Sequence, residues 1–411
     1  MRMLAVATLL LTGCGLGNLN PDASHYVANG DAGFLQSDGG VASTAGLAAR
    51  LGQLVDTECT RAEVSANVRD QAYVEIGRLG DAEPFFQWFP GKGTDLDTRM
   101  YIASASKWVS AVTIVEELAR NGRGLSTPLA RKSTSATGFS FLDDVKPWAP
   151  HLERVTAEHL LAFTSGLHVK REANGALAAD TWDSCAGDNK STDTRCAVEA
   201  LTQHADASVD GGTAFSYGSL HLEVAAAMVE ELSGKSFPEL VDQHVNTPLG
   251  LTGADRLWFP ETFKTEQPTV SNSNPVPAGS IYTTTRAYRA FLKALGERTQ
   301  FAAWRAVSPD VARTTGLPRL SDPSADAEKY GAGKWEYGLG HWVQGSPEIV
   351  SSAGAFGYFP WLDLKTGTWG IMGTDLGLSL SDPTSSYRCG VKLQNAVRAC
   401  FEKGECAALP N

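Results

Sequence analysis

Segments with the composition of β-strands lie near both ends of the 411-residue chain and enclose a long helical middle. Residues 71–79 (QAYVEIGRL) and 84–90 (PFFQWFP) combine alternation with aromatic side chains, so they predict a β-hairpin. After about residue 296, the segments YGLGHWVQ, SSAGAFGYFPWLDL and TWGIMGTD have the same character, and LKTGT predicts a turn between the last two. Because both ends supply strands, the order of elements predicts an α+β fold: an antiparallel sheet flanked by helices, built from both chain ends, with an inserted all-helical subdomain.

Helical patterns complete this prediction. A strongly apolar helix is predicted from Ser104 to Asn121, where Asn121-Gly122 ends it, and its apolar faces indicate that it is buried. Further helices are predicted at about 47–68 and 383–402. The predicted domain spans residues 44–405, with its sheet part at about 44–122 and 296–405 and its helical part at about 123–295.

The charge of the chain argues against one class of partner. The formal net charge is −11, and the sequence contains no block of consecutive Lys and Arg residues. Since binding to a phosphate backbone needs a basic surface, nucleic acid is not expected as a partner. The 43% hydrophobic content is sufficient for a large core.

The N-terminus, MRMLAVATLLLTGCG, has the order of an export signal: a charged Arg2, an apolar run and then small residues. The run is too short to span a bilayer. Residues 1–13 are therefore predicted to be a signal peptide.

Leu11-Thr12-Gly13-Cys14 resembles a bacterial lipobox, which implies lipidation of Cys14 and a periplasmic or outer-membrane-anchored lipoprotein of the cell envelope. The alternative is a short signal peptide with an incidental cysteine. Residues 14–43 are predicted to be a flexible tether, and the lipid anchor is the only membrane contact expected.

Six cysteines remain after Cys14, and an even number in an exported chain favours disulfides. Cys185 with Cys196 is the economical local pair, and Cys59 is then predicted to pair with one cysteine of the C-terminal segment. No CxxC or HExxH motif occurs and the histidines are scattered, so neither a metal nor a cofactor is expected. The disulfide candidates are Cys59, Cys185, Cys196, Cys389, Cys400 and Cys406.

Ser104 and Lys107 lie three positions apart at the start of the apolar helix, in YIASASKWVSAV. This spacing places the two side chains on one helix face. A serine hydroxyl needs a base to become a nucleophile, and a lysine in an apolar setting can serve if its pKa falls towards neutrality. Backbone N–H groups at the helix start would also face an oxyanion. Alone, however, S-x-x-K is a weak pattern, and the alternative is a capping serine with a solvated lysine.

Further segments resemble the class C β-lactamase-like group, which includes D-alanyl-D-alanine carboxypeptidases and family VIII esterases. They follow the order of that family and cover about residues 45–400: YIASASKWVSA, LDDVKPWAP, LLAFTSGLH (with Phe163 where His is usual), FSYGSLHLEVAAAMVEELSGKSF and NPVPAGSIYTTTRAYRAFLKAL. The resemblance implies that Ser104 is acylated, that Lys107 accepts or relays its proton, and that Tyr217 is the acid/base at the leaving group. A tyrosine can act as this acid/base at neutral pH only if a neighbouring cation such as Lys107 favours its charged or hydrogen-bonded form.

Two positions depart from the family pattern. Ser219 replaces the Asn of the Y-x-N motif, and it is expected either to contact substrate or to cap the helix from Leu220. The third motif, Lys or His, a small residue and Gly, is assigned to Ser352-Ala353-Gly354, with the Ala355 and Ser104 amides as the oxyanion hole. A literal Lys365-Thr366-Gly367 is the alternative, but it has the pattern of a hairpin turn. Ser352 and Gly354 are thus candidate substrate-binding residues.

The uncharged Ser352 favours substrates without a carboxylate, because the cation that the family places there is missing. The sequence therefore predicts an esterase-like serine hydrolase that acts on a small ester or amide through an acyl-enzyme. A peptidoglycan D,D-carboxypeptidase, penicillin-binding protein or β-lactamase, acting on peptides or β-lactams, is the enzymatic alternative. A non-catalytic envelope binding protein that keeps the fold is the alternative of another class.

Overall fold

An eight-stranded antiparallel sheet forms the central layer of the computed structural model, in the order β1-β5-β4-β14-β13-β12-β11-β10. The structure describes residues 25–28, 35–37, 40–42, 44–59, 72–89, 95–168, 193–259, 276–324, 333–344, 348–374, 385–404 and 406. The strands of this sheet are β1 (His25–Ala28), β4 (Ala72–Arg78), β5 (Phe86–Phe89), β10 (Trp335–Tyr337), β11 (Trp342–Gln344), β12 (Ile349–Ser351), β13 (Phe359–Asp363) and β14 (Thr368–Thr374). Three two-stranded pairs complete the β-structure: β2 (Leu35–Ser37) with β3 (Gly40–Ala42), β6 (Arg99–Tyr101) with β8 (Tyr282–Thr284), and β7 (Phe215–Ser216) with β9 (Arg319–Ser321).

The two chain ends meet where β4 pairs with β14, in a register that runs from Thr368 opposite Arg78 to Thr374 opposite Ala72. Glycines at this junction make room for tryptophans on the neighbouring strand. A Cβ on Gly77 would lie 2.5 Å from the Trp369 ring, and one on Gly370 would lie 2.0 Å from the Trp361 ring. A strand glycine here permits close approach of a large side chain. The predicted sheet built from both chain ends is confirmed, as are the hairpin of β4 with β5 and the turn between β13 and β14.

The N-terminal segment departs from the sequence prediction. Residues 14–43 are predicted to be a flexible tether, yet His25–Ala28 form the edge strand β1 and pair with Phe86–Phe89. Tyr26 and Val27 favour extended backbone, and β5 would otherwise present an unpaired edge. This short stretch is therefore strand rather than spacer. The predicted signal peptide and Cys14 lie outside the described residues, so export and lipidation remain predictions.

Helices cover the sheet and form most of the insert between the two halves. They are α1 (Thr44–Leu54), α2 (Ser106–Arg120), α3 (Ala157–Leu161), α4 (Asp193–His204), α5 (Leu220–Ser233), α6 (Phe237–Val241), α7 (Thr285–Glu297), α8 (Ala302–Ala306) and α9 (Ser385–Lys403). The apolar helix α2 is buried almost along its whole length and packs against α5, while α7 packs on β13 and β14. The insert predicted to be all-helical also contributes β7 and β8. Within the described part of the chain, no helix is both long and apolar enough to cross a membrane.

The three C-terminal cysteines are all disulfide-bonded. Cys400 and Cys406 are joined in a disulfide, and Cys389 is also disulfide-bonded. The helix α1 and the turn Val55–Cys59 pack against α9, which brings the backbone of Cys59 towards the helix that carries Cys389. The side chain of Cys59 and all of Cys185 lie outside the described residues. The predicted bonds of Cys59, and of Cys185 with Cys196, therefore remain predictions.

A buried carboxyl group on β4 predicts a measurable pH dependence of stability. Glu75 is fully buried, accepts a 2.8 Å hydrogen bond from the Tyr73 hydroxyl and lies 3.3 Å from Arg289 on α7. Burial outweighs these contacts and raises the pKa of Glu75 to about 7. The folded protein thus holds this proton more tightly than the unfolded chain, so the contribution to stability is largest below the unfolded pKa and is lost as pH rises towards 7.

We expect the unfolding free energy of the wild type, relative to that of Glu75→Gln, to fall by about 3 kcal/mol between pH 4 and pH 8. Urea denaturation at a series of pH values measures this difference. Glu83→Gln is the matched control, because Glu83 also faces Arg289 but is 71% exposed. Parallel pH curves for the wild type and Glu75→Gln would contradict the prediction.

Candidate active site

Ser104 lies in a 3₁₀ turn, Ala103–Ala105, between β6 and the buried helix α2. Ala103 has φ +45°, a left-handed conformation that non-glycine residues rarely adopt and that often occurs at functional sites. Neighbouring elements fix this turn. The Ile102 amide donates to the Ile281 carbonyl at 3.1 Å, and the Tyr288 hydroxyl donates to the Ala105 carbonyl at 3.0 Å. The hydroxyl of Ser104 is thus presented at the start of α2, partly exposed.

The amine of Lys107 faces the Ser104 hydroxyl. Its Nζ lies 3.0 Å from Ser104 Oγ and 2.8 Å from the carbonyl oxygen of Ala278. Lys107 is only 5% exposed, and no serine side chain caps α2. The alternative of a capping serine with a solvated lysine is therefore wrong. With one N–H bound to Ala278, the amine is oriented so that it can exchange a proton with Ser104.

The segment that supplies the Ala278 carbonyl is attached to α2 by two further serines. Ser110 Oγ donates to the Pro277 carbonyl at 2.6 Å, and Ser106 Oγ accepts from the Ile281 amide at 3.1 Å. Neither serine was predicted from the sequence to belong to the site. Their spacing of four residues places them on one helix face, and this spacing was the only sequence pattern that could have indicated a shared role. The segment that they bind is far away in sequence, so the pattern gave no partner.

Tyr217 completes the group. It follows the short strand β7, and its amide donates to the Ser321 carbonyl of β9 at 2.9 Å. The Lys107 Nζ lies 4.9 Å from the centre of its ring, and its hydroxyl is close enough to the Ser104 side chain to interact by hydrogen bonding. Burial raises the pKa of Tyr217 above its usual value, and the interaction with Ser104 lowers it only in part. Burial thus favours the neutral form of the Tyr217 phenol, while its hydroxyl is hydrogen-bonded to Ser104 and its ring lies beside the Lys107 amine.

Aromatic side chains hold the ring of Tyr217. Trp342 of β11 stacks on it at 5.1 Å with an interplanar angle of 15°, and Tyr337 of β10 meets it edge-on at 5.7 Å. Phe163, which stands where the family usually has His, lies 5.6 Å away. Its ring also stacks on His221, whose pKa burial lowers to about 3. The family histidine is therefore replaced by an apolar contact that supports Tyr217.

The segment Ser352-Ala353-Gly354 lies against the nucleophile. Ser352 is 3% exposed, and its hydroxyl donates to the Ser104 carbonyl at 3.0 Å. A Cβ on Gly354 would come within 2.2 Å of the Ile102 carbonyl oxygen, so only glycine permits this approach. Ala355, the next residue, is exposed. Within the described residues, the Ser104 and Ala355 amides donate no hydrogen bond to the protein, so both are available to an oxyanion.

The alternative third motif lies elsewhere. Lys365-Thr366-Gly367 forms the turn between β13 and β14, and Lys365 forms an ion pair with Glu402 of α9 at 3.1 Å. Ser219, the other departure from the family pattern, occupies the N-cap position of α5: its carbonyl accepts from the Leu222 amide at 3.0 Å, although its side chain makes no capping hydrogen bond. The contact of Ser219 with substrate remains a prediction.

In the part of the chain that is described, no cluster of His, Cys, Asp or Glu side chains has the arrangement of a metal site.

Comparison with known proteins agrees with this fold. The β-lactamase family model matches residues 79–380. A structure assigned as a β-lactamase from Bacteroides dorei DSM 17855 is 21% identical, with a TM-score of 0.63 over 84% of this chain and 96% of that one. EstCE1, described as a hydrolase with promiscuous acyltransferase activity, is 16% identical, with a TM-score of 0.60 over 86% of this chain and 99% of that one. A penicillin-binding protein from Bacillus halodurans is 18% identical, with a TM-score of 0.55 over 85% of this chain and 100% of that one. We found no matching sequence among curated proteins. Because the family model matches well over half of the chain, in a fold shared with these structures, the chain belongs to the β-lactamase family.

Proposed function

We propose that the chain is a serine hydrolase that cleaves small esters or amides with an uncharged acyl group through an acyl-enzyme on Ser104. The observation that carries this proposal is the 3.0 Å contact between Lys107 Nζ and Ser104 Oγ, with Tyr217 beside both groups. A nucleophile needs a base within hydrogen-bonding distance, and this pair meets that requirement.

In the proposed reaction, Ser104 Oγ attacks the substrate carbonyl carbon while its proton passes to the uncharged amine of Lys107. The negative charge that develops on the carbonyl oxygen is held by the Ser104 and Ala355 amides. Tyr217, a neutral phenol, donates its proton to the departing alcohol or amine and recovers one from Lys107, which leaves the acyl group on Ser104. Water then attacks the acyl carbon, the proton transfers run in reverse, and the carboxylic acid leaves.

The preference for an uncharged acyl group follows from Ser352. In the family that the sequence resembles, a Lys or His at this position holds the carboxylate of a β-lactam or a D-alanine terminus. Ser352 carries no charge, and its single O–H is already donated to the Ser104 carbonyl. A carboxylate would therefore gain no charge-assisted hydrogen bond here. The similarity to EstCE1, described as a hydrolase with promiscuous acyltransferase activity, supports the acyl-enzyme step of the proposal.

Covalent labelling tests the proposal. We expect a fluorophosphonate to form one adduct on the mature protein, and peptide mapping should locate it at Ser104. Ser106 and Ser110 on the same helix serve as internal controls, because both are buried and hydrogen-bonded. A fluorescent penicillin, whose carboxylate finds no cation at Ser352, should label Ser104 of the wild type roughly 10- to 100-fold more slowly than an uncharged activated ester acylates it.

Two outcomes would contradict the proposal. A folded protein without an adduct at Ser104 and without ester turnover would indicate a non-catalytic binding protein. Penicillin labelling of the wild type that is as rapid as acylation by the uncharged ester would favour the peptidase or β-lactamase alternative.

A further inference from the structure

Two turns from distant parts of the sequence meet at the nucleophile. We call residues 102–105 the nucleophile turn and residues 352–357 the facing turn. They are joined by the hydrogen bond from Ser352 Oγ to the Ser104 carbonyl, and by the close approach of Gly354 to the Ile102 carbonyl. The two amides that would bind the oxyanion come one from each turn. The alignment of these amides therefore depends on how firmly the turns are held together.

The facing turn has its own rigid support. The Gly354 amide donates to the Tyr358 carbonyl at 2.7 Å, and the Gly357 amide donates to the Gly354 carbonyl at 3.1 Å. The preceding residues leave β12, which is paired on both sides by β11 and β13. Ser352 thus extends from a fixed part of the central sheet.

The nucleophile turn is bound at its two ends by Ile281 and Tyr288, but between them it contains Ala103 with φ +45°. A residue in this region relaxes unless its surroundings hold it. The bond from Ser352 acts directly on the residue that carries the nucleophile, because it binds the carbonyl of Ser104 itself. Small displacements at such a centre reduce rates strongly, since both the attacking atom and the oxyanion donors must be aligned.

We propose that Ser352 is a positioning residue, not a substrate-binding one: its hydroxyl holds the nucleophile turn against the facing turn and so aligns the Ser104 and Ala355 amides. This inference rests on the proposed function. It also assigns a task to the hydroxyl that stands where the family has a cation. A substrate-binding residue would change KM, whereas a positioning residue changes kcat.

The test compares Ser352→Ala, Ser352→Cys and Ser351→Ala with the wild type on p-nitrophenyl butyrate, together with the rate of fluorophosphonate labelling. Ser351 is the matched control, because it is the preceding residue, is fully buried, and its hydroxyl has no hydrogen-bond partner among the described residues. We expect Ser352→Ala to lower kcat and the labelling rate about 10- to 100-fold with KM changed less than about twofold. Cysteine is similar in size to serine but is a weaker donor, so the kcat of Ser352→Cys should lie between those of Ser352→Ala and the wild type. The kcat of Ser351→Ala should match that of the wild type.

The outcomes separate this inference from the proposed function. A raised KM with unchanged kcat in Ser352→Ala would show a substrate contact and overturn the positioning role, as would equal losses in Ser351→Ala and Ser352→Ala. If Ser352→Ala fails to fold, the graded loss in Ser352→Cys decides. A wild type that neither reacts with fluorophosphonate at Ser104 nor hydrolyses the ester would overturn the proposed function, and the inference with it.

Discussion

Replacing Ser104 by alanine is expected to lower kcat for p-nitrophenyl butyrate by at least about 10,000-fold. The reason is that no other group can form the acyl-enzyme, so the Lys107 base and the oxyanion amides would have only water to activate. The free energy of unfolding should change by less than about 1 kcal/mol, because the hydroxyl is partly exposed and its loss creates little cavity. Steady-state kinetics and urea denaturation of the same preparation give both quantities.

The control for this prediction is Ser106→Ala, two residues further along the chain. Ser106 is fully buried, and its Oγ accepts a hydrogen bond from the Ile281 amide. We expect this variant to lose stability by about 1 kcal/mol but to keep kcat within about tenfold of the wild type. If Ser104→Ala kept more than a hundredth of wild-type turnover, with contaminating esterases excluded by parallel purification, another nucleophile would be responsible.

The sequence predicted those parts of the fold and site that depend on local spacing. Ser104 and Lys107 belong to one turn of helix, so their proximity follows from helix geometry. The turn at Lys365 to Gly367 could be recognised because a polar pair and a glycine lie between two aromatic strands. The sheet built from both chain ends also followed, because strand patterns appear only near the two ends of the chain.

Features that depend on distant contacts could not be predicted in this way. The hydrogen bond from Ser352 to the Ser104 carbonyl joins residues 248 positions apart, and that from Lys107 to Ala278 joins residues 171 apart. Nothing in the spacing of either residue indicates its partner. The direction in which the pKa of Tyr217 shifts could not be predicted for a related reason: burial among aromatic rings from several elements raises it. Strand β1 was missed because its pairing partner, β5, lies outside the apparent spacer.

Replacing Lys107 by methionine is expected to lower kcat about 1,000-fold and to slow fluorophosphonate labelling of Ser104 to a similar extent. Methionine has nearly the same length and suits a position that is 5% exposed, so the fold should persist. The variant keeps the Ser104 hydroxyl and both oxyanion amides but has no base to accept the proton. Its kinetics and labelling rates, measured at the same pH as the wild type, therefore isolate the contribution of proton transfer.

Lys365→Met is the matched control, and it also decides between the two candidate third motifs. Lys365 is 52% exposed and pairs with Glu402, so its loss removes an ordinary surface ion pair worth less than about 1 kcal/mol. If the assignment to Ser352-Ala353-Gly354 is correct, Lys365→Met keeps wild-type kcat and KM while Lys107→Met loses turnover. An active Lys107→Met protein would instead require that another group remove the proton of Ser104. Since the Tyr217 hydroxyl is hydrogen-bonded to the same Ser104 hydroxyl, Tyr217→Phe in the Lys107→Met background would identify whether Tyr217 is that group.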